Sequence, residues 1–210
     1  EAPGRDRPPE VGHAAAIRVS LRHPQVGQPS LRRLYIAPGY HHGDRSLVAP
    51  LDVLAELLGG GVASRLNRAL VLDRELAVSA GAFYSGTRLG PAELGVYASP
   101  RGDTDLETLE AALDAEIERL LTDGVTDAEV TAARERLVAG VVYAKDSLQG
   151  GSHILGRALA IGLDIATVEE WPERVRAVTP EEVMAAARLV LRPERSATGL
   201  LRRPAGETDR

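Results

Sequence analysis

Cysteine is missing from all 210 residues. That excludes disulfides, thiolate metal ligands and cysteine nucleophiles together. The compartment stays open, because a domain of this size folds without staples in either redox environment. Aromatic residues are scarce, with one Trp and one Phe beside five Tyr, so there is little on which a run of bases could stack. Positive charge is also short, at a net charge of −5. Arg5, Arg7, Arg18, Arg22, Arg32 and Arg33 face only Glu1, Asp6 and Glu10 in residues 1–40, so that stretch is +3 and the remainder −8. Scattered arginines on an acidic chain argue against a nucleic-acid partner. No apolar run approaches the ~18 residues of a membrane span.

Apolar residues make up 44% of the chain, enough for a packed core. The first ten residues are charged and Pro-rich without periodicity, which reads as linker. We therefore expect a linker remnant over 1–13, one domain over 14–204 and a short tail over 205–210. Ile17, Val19 and Leu21 alternate with Arg18, Ser20 and Arg22, the period of a half-buried strand. Further strands are expected near 31–37, 76–84, 92–99 and 195–202. Val78, Ala80 and Ala82 are read as one small-residue face, and Leu94 and Val96 alternate with Gly95 and Tyr97. Leu47, Leu51, Leu54 and Leu58 mark a helix that ends at Gly59-Gly60-Gly61, where Gly59 would take a left-handed cap. A short helix over Ala63–Leu72 follows. Four capping boxes, Thr104-x-x-Glu107, Thr126-x-x-Glu129, Thr167-x-x-Glu170 and Thr179-x-x-Glu182, predict later helix starts. Leu106, Leu109, Leu113, Ile117 and Leu120 form one helical stripe, and Val130, Leu137, Val141 and Leu148 another. The order predicts an α+β fold, a largely antiparallel mixed sheet with helices packed on one face.

No catalytic constellation stands out. The five histidines form neither H-E-x-x-H nor H-x-x-E-H, the spacings that put imidazoles on one helical face for zinc. His41-His42 diverge on regular backbone and read as a polar loop. The glycine triplet lacks the Lys and hydroxyl of a phosphate loop. Ser152 follows two glycines but stands in no nucleophile elbow. Glu169-Glu170 and Glu181-Glu182 read as first-turn acids that the helix dipole favours. Arg65, Arg68 and Arg74 bracket the short helix and suit a carboxylate or a peptide carbonyl, or else solvent.

The run Leu57-Leu58-Gly59-Gly60-Gly61-Val62-Ala63-Ser64-Arg65-Leu66-Asn67-Arg68-Ala69-Leu70 resembles the glycine loop and Ser-Arg-Leu helix of pitrilysin-type (inverzincin) zinc metallopeptidases. Leu76-Ala77-Val78-Ser79-Ala80, the Thr126 helix start and Ala177-Val178-Thr179-Pro180-Glu181-Glu182-Val183 continue the likeness in order. It is similar to the mitochondrial-processing-peptidase-like, non-zinc-binding C-terminal half. The resemblance implies two homologous halves closing a chamber around an extended peptide. It places H-x-x-E-H and zinc in the partner half, with no metal and no catalytic residue in this chain, and it allows a dimer. It also implies that an Arg and a Tyr seven residues apart would orient substrate; those positions fall on Val71 and Val78. Neither valine can donate a hydrogen bond to an oxyanion. Two roles follow from the resemblance: the non-catalytic half of a bacterial zinc endopeptidase, or a structural subunit like the respiratory-complex core proteins. Analogy with bacterial relatives favours the periplasm over the cytoplasm.

Overall fold

The computed structural model describes residues 15–145 and 150–204. The expected linker at 1–13, the tail at 205–210 and Leu148 lie outside them. The strands are β1 (Ile17–Arg22), β2 (Ser30–Ala37), β3 (Ala77–Ser85), β4 (Ala92–Pro100) and β5 (Ser196–Arg202). They form one sheet in the order β1-β5-β2-β4-β3. Only β1 and β5 run parallel; the other three pairings are antiparallel. The helices are α1 (Val48–Gly59), α2 (Leu106–Asp123), α3 (Asp127–Lys145), α4 (Gly150–Ala160), α5 (Ile165–Glu169), α6 (Trp171–Ala177) and α7 (Pro180–Val190). The expected α+β class is therefore the observed one.

Side chains alternate across the sheet, so each row of paired residues shares a face. One row runs Leu200–Leu31–Ala98–Ala80 through β5, β2, β4 and β3, and all four are buried beneath helices. The neighbouring row, Val19–Gly199–Arg32–Tyr97–Gly81, lies on the opposite face. No helix covers that face among the described residues. The Tyr97 and Phe83 side chains lie over the opposed Gly81 and Gly95, where an added Cβ would meet the Tyr97 hydroxyl at 2.5 Å and the Phe83 ring at 2.3 Å. Arg32 stacks on Phe83 at 5.6 Å, a cation–π contact.

α1 is the central helix. Leu51, Leu54 and Leu58 are fully buried, as their spacing predicts. Gly59 does not take the expected left-handed cap. It is still helical, and its missing side chain lets α1 touch β3: a Cβ would sit 1.7 Å from Ala82 N. α2 is held across the sheet by charge. Arg33 points inward from β2 and donates to Glu110 (2.7 Å), to Asp114 and to Thr198 Oγ1 (2.9 Å), while Arg18 reaches Glu110 at 2.6 Å. A buried guanidinium needs this full set of acceptors, because an unpaired buried charge is strongly disfavoured.

Two of the four capping boxes form. Thr179 and Glu182 cap α7 reciprocally, and Thr126 and Glu129 do so for α3. The other two are displaced by a nearby acid. Asp105 takes the Thr108 N–H at the start of α2, and Asp164 takes the Thr167 N–H at the start of α5. A carboxylate accepts an N–H more strongly than a hydroxyl does, so Asp105 and Asp164 take the cap positions in place of Thr104 and Thr167.

Candidate functional site

The segment singled out for substrate contact starts where α1 ends. Ser64 donates from its hydroxyl to Gly61 O at 2.6 Å, and Arg68 N–H donates to Ser64 O at 2.9 Å, starting a helical turn. Over Asn67–Asp73 that turn widens to π-helical geometry. Arg74 N–H reaches back five residues to Ala69 O at 3.3 Å, and Leu76 N–H donates to Leu70 O at 2.9 Å. Leu66 and Leu70 are fully buried and anchor the turn. Glu75 takes φ 51°, a conformation that costs a non-glycine residue about 1 kcal/mol or more, and completes the reversal into β3.

The five sequence-expected residues occupy different settings along this reversal. Arg65 is engaged within the fold: it donates to both Glu129 oxygens at 2.7 and 2.9 Å and to Gly124 O at 2.8 Å. Burial alone would raise the Glu129 carboxyl. Arg65 and the Thr126 donors outweigh that and hold it at about 2. Arg65 and the exposed Arg68 share a shallow depression of about 450 Å³ with Asp73, Arg119 and Glu129. Arg74 is exposed, and Arg74, Val71 and Val78 all lie outside that depression. Val71 is partly buried against the core. Val78 is 51% exposed. It falls at a register shift between Ala77 and Ser79, which removes it from the expected face shared by Ala80 and Ala82. Among the described residues no three His, Asp or Glu side chains converge to hold a metal ion.

A larger recess, which no sequence expectation pointed to, lies at the other end of the sheet. It encloses about 840 Å³ between α1, the end of β3, and α4 to α6. Asp52 lies on its α1 wall, and its carboxylate Oδ2 accepts the Trp171 Nε1–H at 2.7 Å. Asp52 keeps some surface open to the recess but is otherwise enclosed by protein, and this burial raises its carboxyl to about 7 despite the indole donor. Tyr84 donates its hydroxyl to Pro38 O, and its own ionisation is pushed up by burial, then by Asp52 and Tyr40. Tyr40 carries Arg45 over its ring at 5.0 Å. The signal available in the sequence was an acid, Asp52, within the apolar stripe of α1, together with the lone Trp171.

Comparison with known proteins fits this architecture. Residues 1–137 match the family model described as peptidase M16 inactive domain. The chain is 30% identical over 154 residues to an uncharacterized zinc protease of Streptomyces coelicolor, covering 72% of this chain and 33% of the relative. It is 32% identical over 143 residues to one of Mycobacterium bovis, covering 67% and 32%. The chain thus spans about a third of the length of these relatives. Among solved structures, a protease from Helicobacter pylori superposes with a TM-score of 0.86 at 19% identity, covering 96% of this chain and 47% of that one. A peptidase M16 inactive domain from Pseudomonas fluorescens superposes with a TM-score of 0.76 at 19% identity, covering 99% and 48%. The order of elements, the one-sided helical layer and the matched residues agree: this chain belongs to the peptidase M16 inactive-domain family, the non-zinc-binding half-domain of pitrilysin-type zinc proteases.

Proposed function

We propose that this chain is the non-catalytic half of a zinc endopeptidase and closes a peptide-binding chamber over a homologous half that carries H-x-x-E-H. The supporting observation is its membership of the inactive-domain family at about a third of the length of zinc-protease relatives. In this reading the zinc and the general base belong to the other half, where the metal lowers the pKa of bound water and polarises the scissile carbonyl. This chain supplies wall and shape. Arg65, Arg68, Arg74, Val71 and Val78 border the extended peptide, and the uncovered sheet face looks toward the partner half. Co-expression with a zinc-bearing half tests it. Peptide cleavage should require both halves, and this chain alone should neither hold zinc stoichiometrically nor turn over peptide. Turnover by this chain alone would overturn the reading.

Val71 and Val78 favour a second reading, an assembly subunit without proteolytic role, because aliphatic side chains donate nothing to a tetrahedral intermediate. The same co-expression separates the two: a stable complex that cleaves no peptide supports the scaffold.

A further inference from the structure

The recess at Asp52 has the size and chemistry of a ligand site and plays no part in the chamber reading. Its volume, about 840 Å³, is within the range that takes a small organic molecule. Val48, Ile154, Leu163 and Val168 make the walls mainly apolar. The polar character converges on one point. Asp52 has a single hydrogen bond among the described residues, from Trp171, although an ionised carboxylate offers about four acceptor positions. Tyr40, Tyr84 and Trp171 line the recess with it, presenting aromatic surface, which favours cations.

Two guanidiniums, Arg45 and Arg174, act on the Tyr40 side of the recess, and neither is hydrogen-bonded to Asp52 among the described residues. Arg45 is committed to Thr167 Oγ1 and to the Tyr40 ring, and Arg174 to Glu170 and the Thr167 carbonyl. His153 and Arg157 are exposed on α4 at the rim, where Glu169 is exposed as well. The least exposed charged residue lining the recess is therefore acidic, within an apolar and aromatic enclosure.

We propose that this recess binds an alkylammonium group: a primary amine that reaches Asp52 through an aliphatic stem lying along the apolar wall. Two sources share this chemistry, a free alkylamine and the side chain of a lysine in a peptide. The site stands whether or not the chamber reading does; only the peptide source rests on that reading.

Trp171 is the only tryptophan, so its fluorescence reports the recess directly. Titration of the full chain with hexylamine should shift that emission saturably. Hexanol and hexanoate, of matching length, should bind at least about tenfold more weakly, as expected when a charge-assisted hydrogen bond is lost. Asp52→Asn keeps shape and indole contact and should weaken hexylamine by about the same factor. Equal binding of amine, alcohol and carboxylate would overturn the proposal in the wild-type chain, whatever the variant does. So would an Asp52→Asn protein that is folded by circular dichroism and binds hexylamine unchanged. A lysine-containing pentapeptide that displaces hexylamine, where its norleucine counterpart does not, assigns the source to peptide. Failure of that peptide with hexylamine still bound assigns it to free amines and leaves the chamber reading untouched.

Discussion

Asp52 gives the clearest consequence at the scale of single residues. Its carboxyl titrates at about 7 in the fold, against 3.8 for an ordinary aspartate. The folded chain therefore holds this proton more tightly than the unfolded chain. Stability is highest below the unfolded value and falls as pH rises through the folded one, by up to about 1.4 kcal/mol per pH unit. Asp52→Asn removes that dependence. Urea denaturation of both proteins should show the variant gaining on the wild type from pH 5 to pH 8, and then levelling. An unchanging difference would mean that Asp52 is solvated. The valines give a second prediction. Val78→Tyr at a half-exposed bulge should change stability by no more than about 0.5 kcal/mol. Val71→Arg, at a side chain packed on the core, should cost about 1–3 kcal/mol in the same assay. Equal costs would place both valines in one environment. Neither distinction was legible beforehand, because Val71 and Val78 are the same residue in an apolar context. What separates them is a π-helical turn and a register shift, both products of the chain reversal.

Elements were more legible than residues. All five strands fall within a few residues of expectation; burial follows the period-2 alternation in β2, whereas β1, expected to be half-buried, is exposed at every residue. Helix starts were legible only where no second acceptor competed, hence the loss of Thr104 and Thr167 as caps to Asp105 and Asp164. The glycine triplet ends α1, and its Gly59 also packs against β3. Gly59 looks like a stop signal, yet it is a contact surface. An Ala there would put Cβ 1.7 Å from Ala82 N and 2.3 Å from Gly81 C, both backbone atoms of β3 that no rotamer change relieves. Gly59→Ala should thus force α1 off the sheet and cost about 3 kcal/mol or more. Gly140 in α3 is exposed, and an added Cβ meets nothing within 4 Å. Gly140→Ala should stabilise by about 0.5–1 kcal/mol, through helix propensity alone. Thermal melts of the two variants should move in opposite directions. A Gly59→Ala protein that melts with the wild type would show that α1 and β3 are less closely apposed than this packing requires.

At the scale of the whole molecule, the sheet order was the part least legible, because strand pairing across β1-β5-β2-β4-β3 joins segments far apart in sequence. β1 is placed at the edge beside β5, and this sets which apolar residues stay uncovered. Ile17, Val19 and Leu21 are 46, 60 and 56% exposed on the face that carries no helix. Leu34, Ile36 and Tyr97 lie on the same face, with the exposed Arg32 between Val19 and Tyr97, and exposed apolar side chains grouped this way on a monomer mark an interaction surface. If the proposed zinc-bearing half covers it, burying these side chains contributes roughly 25 cal/mol per Å² of apolar area removed from water. A charge placed there would act on assembly and leave the isolated fold intact. Val19→Lys should leave the melting temperature of this chain alone within about a degree or two, since an exposed position changes stability by at most about 0.5 kcal/mol. The same variant should fail to co-purify with the zinc-bearing half, or should do so at least about tenfold more weakly, because a lysine ammonium buried at an apolar contact loses its hydration without gaining a partner. Undiminished co-purification of Val19→Lys would place the contact between the halves elsewhere, and the uncovered face would need a different occupant.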